Sequence, residues 1–124
     1  MSKTDHTERA TSRLNESDLL HLVADIDAAL PRVHRYAPAT PIFRLRSLDA
    51  LINGQVMLKA ECAQATGSFK IRGALNVMTQ LSGKGVDRVI AFSSGNHGIG
   101  VAYAAHCLGM TATIVVPYDA PEAK

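Results

Sequence analysis

The run from Val89 to Val116 constrains the fold more than any other stretch of the chain. Val89, Ile90, Ala91 and Phe92 are wholly apolar and too few for a helix, which predicts a short strand. A strand of this kind is usually buried on both faces of a parallel sheet. The tight loop Ser93-Ser94-Gly95-Asn96-His97-Gly98 follows it. A helix of small residues is predicted from about Ile99 to Leu108, with Gly109 as its C-cap. Ala112 to Val116 reads as a second apolar strand, stopped by Pro117. Strand, loop, helix and strand within about thirty residues make a βαβ crossover, which is nearly always right-handed. An α/β fold follows, and a parallel sheet of so few strands would leave an apolar edge open.

A second landmark is Thr66 to Ala74, TGSFKIRGA. Ile71, Ala74, Leu75, Met78 and Leu81 recur every three or four residues, the buried stripe of an amphipathic helix. Ser68 stands where an N-cap belongs, which places Lys70 in the first turn. The positive end of the helix dipole repels a cation there. That cost becomes an advantage if the amine has to be neutral, as a nucleophile that attacks a carbonyl must be. On this stretch alone, an ordinary surface lysine near a helix start is the favoured reading.

Ahead of it, residues 1–16 are polar and mixed in charge, which predicts a disordered lead-in. Residues 17–124 read as one unit, with 85–124 holding the βαβ segment. Ser17 is a suitable N-cap for a helix whose face is traced by Leu19, Leu22, Val23, Ile26 and Leu30, and Pro31 is expected to end or kink it. Ile42, Phe43, Leu45 and Leu48 suggest a short strand or packed loop before a turn at Asn53-Gly54. Val56 to Glu61 reads as a strand, and Ala120-Pro121-Glu122 as the opening of a further helix.

Bulk properties narrow the partners. A net charge of +2 with scattered basic residues points away from nucleic acid. No apolar run is long enough to cross a bilayer and no secretory signal is visible, so the expectation is a cytoplasmic protein without a membrane partner. Cys62 and Cys107 are too few and too far apart for a disulfide scaffold or a paired metal motif, and are expected to be reduced, buried thiols. No metal site is expected: His97 and His106 lack the spacing of a helical pair. His106 and Cys107 read as packing residues, and His21 and His34 as surface or structural ones.

The candidate for chemistry is the loop after the first βαβ strand. In open α/β sheets ligands bind outside the carboxyl ends of the strands, at loops that lead into helix N-termini. Ser93, Ser94, Asn96 and His97, together with backbone amides freed by the glycines, make a receptor for a carboxylate or phosphate. A tight βα turn chosen for its geometry alone is the competing account, and the run of hydrogen-bonding residues favours the receptor. Gly95, Gly98 and Gly100 do not complete a dinucleotide fingerprint, because Tyr103 stands where the last glycine or alanine belongs. GSFKIRG is not a phosphate-binding Walker loop either, since no glycine precedes the lysine directly. No Ser-His-Asp arrangement can be assigned by spacing.

Taken together, the two stretches carry a resemblance. KAECAQATGSFKIRGA (Lys59 to Ala74) resembles the cofactor-lysine motif of the fold-type II pyridoxal-phosphate-dependent enzymes, with Lys59, Glu61, Gln64 and TGSFK in register. SSGNHG resembles the asparagine loop of the same family. AYAA (Ala102 to Ala105) and VPYDAPEAK (Val116 to Lys124) are similar to segments that follow in threonine and serine dehydratases and serine racemases. The resemblance covers roughly Asp25 to Lys124. It implies a tryptophan synthase β-like α/β fold, an open, twisted parallel sheet flanked by helices, of which this chain is an incomplete N-terminal part.

The resemblance also implies roles. Lys70 would bond covalently to pyridoxal 5'-phosphate and then act as the base at the substrate Cα, while Phe69 packs beside the cofactor ring. Asn96 would hydrogen-bond the cofactor's phenolic oxygen. Ser93, Asn96 and His97 would hold the substrate carboxylate, and Ser94 stands where racemases of the family carry the acid/base of the opposite face. The implied reaction is that of an ammonia-lyase: deamination of L-threonine or L-serine to a 2-oxo acid and ammonia. Two alternatives stand beside it, an amino-acid (serine) racemase and a catalytically inactive truncated module. A homo-oligomer is the implied assembly. Ile99 departs from the glutamine often found after the second loop glycine, and the family's glycine-rich phosphate loop is absent from this sequence.

Overall fold

The first helix, α1 (Glu16–His34), begins with two side chains that satisfy each other's backbone. The Asp18 amide donates to Asn15 Oδ1 at 2.9 Å, and the Asn15 amide donates to Asp18 Oδ2 at 3.1 Å. The cap is therefore Asn15 and not Ser17, because only Asn15 has an acid three residues on to close the reciprocal box, worth about 1 kcal/mol. The structure, a computed structural model, describes residues 15–120. The lead-in expected over 1–16 lies outside that range as far as residue 14, and so does most of the helix expected at Ala120-Pro121-Glu122.

Pro31 does not end α1. The helix runs on to His34 because its last turn is anchored: Val33 is buried, and Arg32 Nε donates to Asn76 Oδ1 at 2.7 Å. Next come β1 (Ile42–Arg44), α2 (Arg46–Ile52) and β2 (Met57–Lys59). β1 and β2 pair antiparallel, with Phe43 opposite Leu58. Leu48 thus lies on a helix, where a strand or packed loop was expected. The Asn53-Gly54 turn is the left-handed cap of that helix, with Asn53 at φ 49°. The strand expected to reach Glu61 stops at Lys59, and Glu61 opens a short 3₁₀ turn, Glu61–Ala63.

α3 (Lys70–Ser82) and α4 (Asn96–Leu108) form the centre of the molecule. The predicted stripe on α3 is buried at Ile71, Ala74, Leu75 and Met78 and meets Val101, Ala104 and Ala105 of α4. Ile71 and Leu75 are fully buried, which stabilises by about 1.5–3 kcal/mol each. Leu81, at the end of the stripe, is half-buried.

β3 (Arg88–Phe92) and β4 (Thr111–Val115) flank α4 in sequence and pair in parallel, Phe92 opposite Val115, which is the βαβ unit the sequence predicts. Burial differs from expectation. Val89, Ala91, Ala112 and Ile114 pack against the helical core, whereas Ile90 is 77% and Phe92 72% exposed. Among the described residues the helices cover one face of this two-stranded sheet, so alternate residues stay open. The α/β class therefore holds, with one parallel and one antiparallel pair in place of a wide sheet. Both cysteines are free, as expected, but Cys62 is exposed and Cys107 half-buried.

Among the described residues no helix is long and apolar enough to cross a membrane, and no group of His, Cys, Asp or Glu could hold a metal ion.

Candidate functional site

Lys70 is the first residue of α3, as its spacing from the apolar stripe requires. Phe69 occupies the cap position in helical conformation, so Ser68 sits one step further out than an N-cap. Its hydroxyl nevertheless accepts from the Lys70 amide, at 3.4 Å. Gly67 lies at φ +67°, which lets the chain reverse just before the helix. The Lys70 side chain is exposed, and its Nζ stands 5.0 Å from the centroid of the Phe69 ring, which is itself exposed. The amine and the aromatic face thus form one accessible surface.

The other half of the site is the loop at the carboxyl end of β3. The Ser93 amide donates to Val115 O at 3.0 Å and carries the strand ladder one residue into the loop. The Gly95 amide donates to Ser93 Oγ at 3.2 Å, which closes the turn. Gly95 is the N-cap of α4 and among the described residues no side chain caps it, so the first amides of the helix have no partner within the helix. The helix starts at Asn96, three residues earlier than predicted. Ser93, Ser94 and Gly95 line a cavity of about 490 Å³, together with Gly98, Ile114 and Tyr118. His97 lines a different cavity, against Gly73, Val77, Ile90 and Val101 on the α3 side. Asn96 is exposed at the helix start.

Gly100 joins the two halves. A Cβ at Gly100 would stand 3.3 Å from Lys70 C, Lys70 O and Ile71 N, so the backbone of the lysine lies directly on the second turn of α4. Gly98 is closer still: its Cβ would meet Ser93 O at 2.9 Å and Ile114 Cγ2 at 3.0 Å. Sequence reasoning weighed Gly98 as a loop glycine that frees backbone amides and both glycines as part of a failed dinucleotide fingerprint, and not as close contacts. The signal that identifies them is glycine inside a helix, which costs about 1 kcal/mol relative to alanine unless something approaches closely.

Arg72 was missed as well. Its Nε donates to Glu61 Oε2 and its Nη2 to Glu61 Oε1, both at 2.8 Å, a bidentate pair. Thr40 Oγ1 donates to Glu61 Oε1 at 2.6 Å, and Lys59 Nζ lies 3.7 Å from the same oxygen. The Arg72 hydrogen bond, reinforced by Thr40 and by both cations, outweighs burial and holds the Glu61 carboxyl down to about 2. This pair explains why β2 ends early: Glu61 turns out of the strand to meet Arg72.

A lysine amine, an adjacent ring, two hydroxyls and a set of free helix-start amides suit a small ligand that carries a carbonyl and an anionic group. A Cβ at Gly95 would meet nothing within 4 Å, so the approach to the loop is open. These features fit pyridoxal phosphate.

Comparison with known proteins agrees. The family model for pyridoxal-phosphate dependent enzymes matches residues 34–124. The chain is 48% identical to an L-threo-3-hydroxyaspartate ammonia-lyase of a Pseudomonas species over 101 residues, 81% of this chain and 32% of the relative. It is 37% identical to a serine racemase of Schizosaccharomyces pombe over 112 residues, 90% of this chain and 35% of that protein. Among solved structures, it superposes on the processed threonine deaminase isoform 2 of Solanum lycopersicum with a TM-score of 0.74 at 34% identity, covering 89% of this chain and 30% of that one. The chain spans about a third of the length of the curated relatives it matches.

Proposed function

Because the chain belongs to the family of pyridoxal-phosphate dependent enzymes, we propose that it carries the lysine-bearing part of an ammonia-lyase acting on L-threonine or L-serine. The observation that supports this reading is the close approach of the Lys70 backbone to α4 at Gly100, two residues beyond the Ser93–Gly98 loop. When bound, pyridoxal 5'-phosphate supplies an electron sink for the charge left at Cα. The chain's own residues supply the rest. Lys70 holds the cofactor and then takes the Cα proton. With the cofactor bound, Phe69 would pack beside its ring and Asn96 would donate to its phenolic oxygen. Ser93 and Asn96, with the first amides of α4, receive the substrate carboxylate, whereas His97, expected to join them, lines the other cavity and is left out. The β-hydroxyl leaves as water, which is regained when the product hydrolyses, so a hydroxy amino acid gives a 2-oxo acid and ammonia.

Racemisation is the second reading. The similarity to serine racemase supports it, as does the exposed Ser94 hydroxyl beside the cavity, where a proton could be returned to the opposite face. One experiment separates the two. L-Threonine and L-serine are followed in deuterium oxide with the chain and pyridoxal 5'-phosphate. Loss of the Cα proton that depends on Lys70, with a 2-oxo acid as product, is expected. D-Serine without 2-oxo acid would move the reading to racemisation, and no exchange at Cα would overturn both.

A further inference from the structure

The segment that delivers Lys70 is a closed loop. Glu61 and Arg72 stand at its two ends and are joined by the bidentate pair, an ionic neck, while Gln64, Ser68 and Ile71 within it are buried. Bonds inside the loop are weaker. Thr66 Oγ1 to Ser68 O spans 3.5 Å and the Lys70 amide to Ser68 Oγ spans 3.4 Å, while the only short one, the Gly67 amide to Gln64 O at 2.8 Å, makes a local turn. The bonds of the neck run from 2.6 to 2.8 Å.

The neck is also fastened to the core. Arg72 Nη2 donates to Pro38 O at 3.2 Å and Nη1 to Ala37 O at 3.4 Å, and Gln64 Nε2 donates to Pro38 O at 2.7 Å. Ala37 and Gln64 are buried, Arg72 is half-buried and Pro38 is exposed, so this anchor lies at the edge of the packed interior. Lys70 itself is exposed, and among the described residues no hydrogen bond fixes its amine. Its place is therefore set by its backbone, which lies between the neck and the contact with α4 at Gly100.

We propose that Glu61 and Arg72 are positioning residues whose ion pair closes the 62–71 loop and sets Lys70 against the Ser93–Gly98 loop. The inference rests on the reading of Lys70 as the cofactor lysine. The test is to add pyridoxal 5'-phosphate to the chain, reduce with borohydride, and take the ratio of label at Lys70 to label at Lys84 on the same molecules. That ratio cancels differences in protein amount and in general amine reactivity. Glu61→Gln keeps the shape of the side chain and removes its charge; the ratio should fall about ten-fold, the loss typical of a charge-assisted hydrogen bond, in a chain whose circular dichroism is unchanged. Glu61→Asp keeps the charge but withdraws it by one methylene, and should give a smaller fall; it stands in if the glutamine variant does not fold. An unchanged ratio in either folded variant would overturn the positioning role while leaving Lys70 as the cofactor lysine. An unsubstituted chain without preference for Lys70 would overturn the proposed function, and this inference with it.

Discussion

Between Glu61 and Arg72 the backbone is held by what side chains add, whereas between Ser93 and Gly100 it is held by what they omit. The first region closes on a carboxylate and a guanidinium, with Thr40 and Gln64 as further polar ties. The second has, among the described residues, one side-chain bond, from the Gly95 amide to Ser93 Oγ, and is fixed by glycines that let backbone meet backbone at Gly98 and Gly100. An ionic fastening responds to pH and to charge, and hardly to volume. A steric fastening does the reverse, because a packed contact has no room for another methyl group. A site assembled from one of each should show two separable sensitivities.

The largest effect should come from the steric side. Gly98→Ala drives a methyl group to 2.9 Å from Ser93 O and 3.0 Å from Ile114 Cγ2, neither of them the free end of a long side chain. It should destabilise the chain by about 1–3 kcal/mol, read from urea unfolding, with little dependence on pH. A neutral result would mean that the loop yields easily and the contrast is overstated.

The ionic side is probed with acid. The folded carboxyl of Glu61 titrates at about 2 against an ordinary 4.5. A depressed carboxylate contributes stability that is fully present above 4.5 and is lost as pH falls towards 2. The melting temperature should therefore fall over that interval, and Glu61→Gln should flatten the part that Glu61 contributes. Equal acid sensitivity in the two proteins would remove Glu61 from the account.

The smallest effect has the opposite sign. Gly73 lies within α3, and a Cβ there would meet nothing within 4 Å. Gly73→Ala should stabilise by about 0.5–1 kcal/mol, the helix propensity that glycine forgoes. A loss of stability instead would show that open space around a helical glycine does not distinguish it from Gly98.

The same contrast explains what the sequence discloses. The βαβ unit and the stripe on α3 are written in local periodicity, and both are found where the spacing puts them. The cap of α1 was misplaced although Asn15 and Asp18 carry the signal, because Ser17 satisfies the simpler rule as well. The early end of β2 was not legible, since it depends on Arg72, a partner eleven residues beyond Glu61. His97 shows how a small error in a boundary matters. With α4 starting at Asn96, His97 falls on the helix and lines the cavity on the α3 side, whereas Ser93 and Ser94 line the other. Contacts between elements, such as Gly100 on Lys70, leave no periodic trace at all.

The most direct measurement is to treat the chain with pyridoxal 5'-phosphate, reduce with borohydride, and map every labelled lysine by mass spectrometry. The account predicts selective labelling of Lys70, abolished in Lys70→Ala. Label spread evenly over Lys59, Lys70 and Lys84, or none at all, would contradict it.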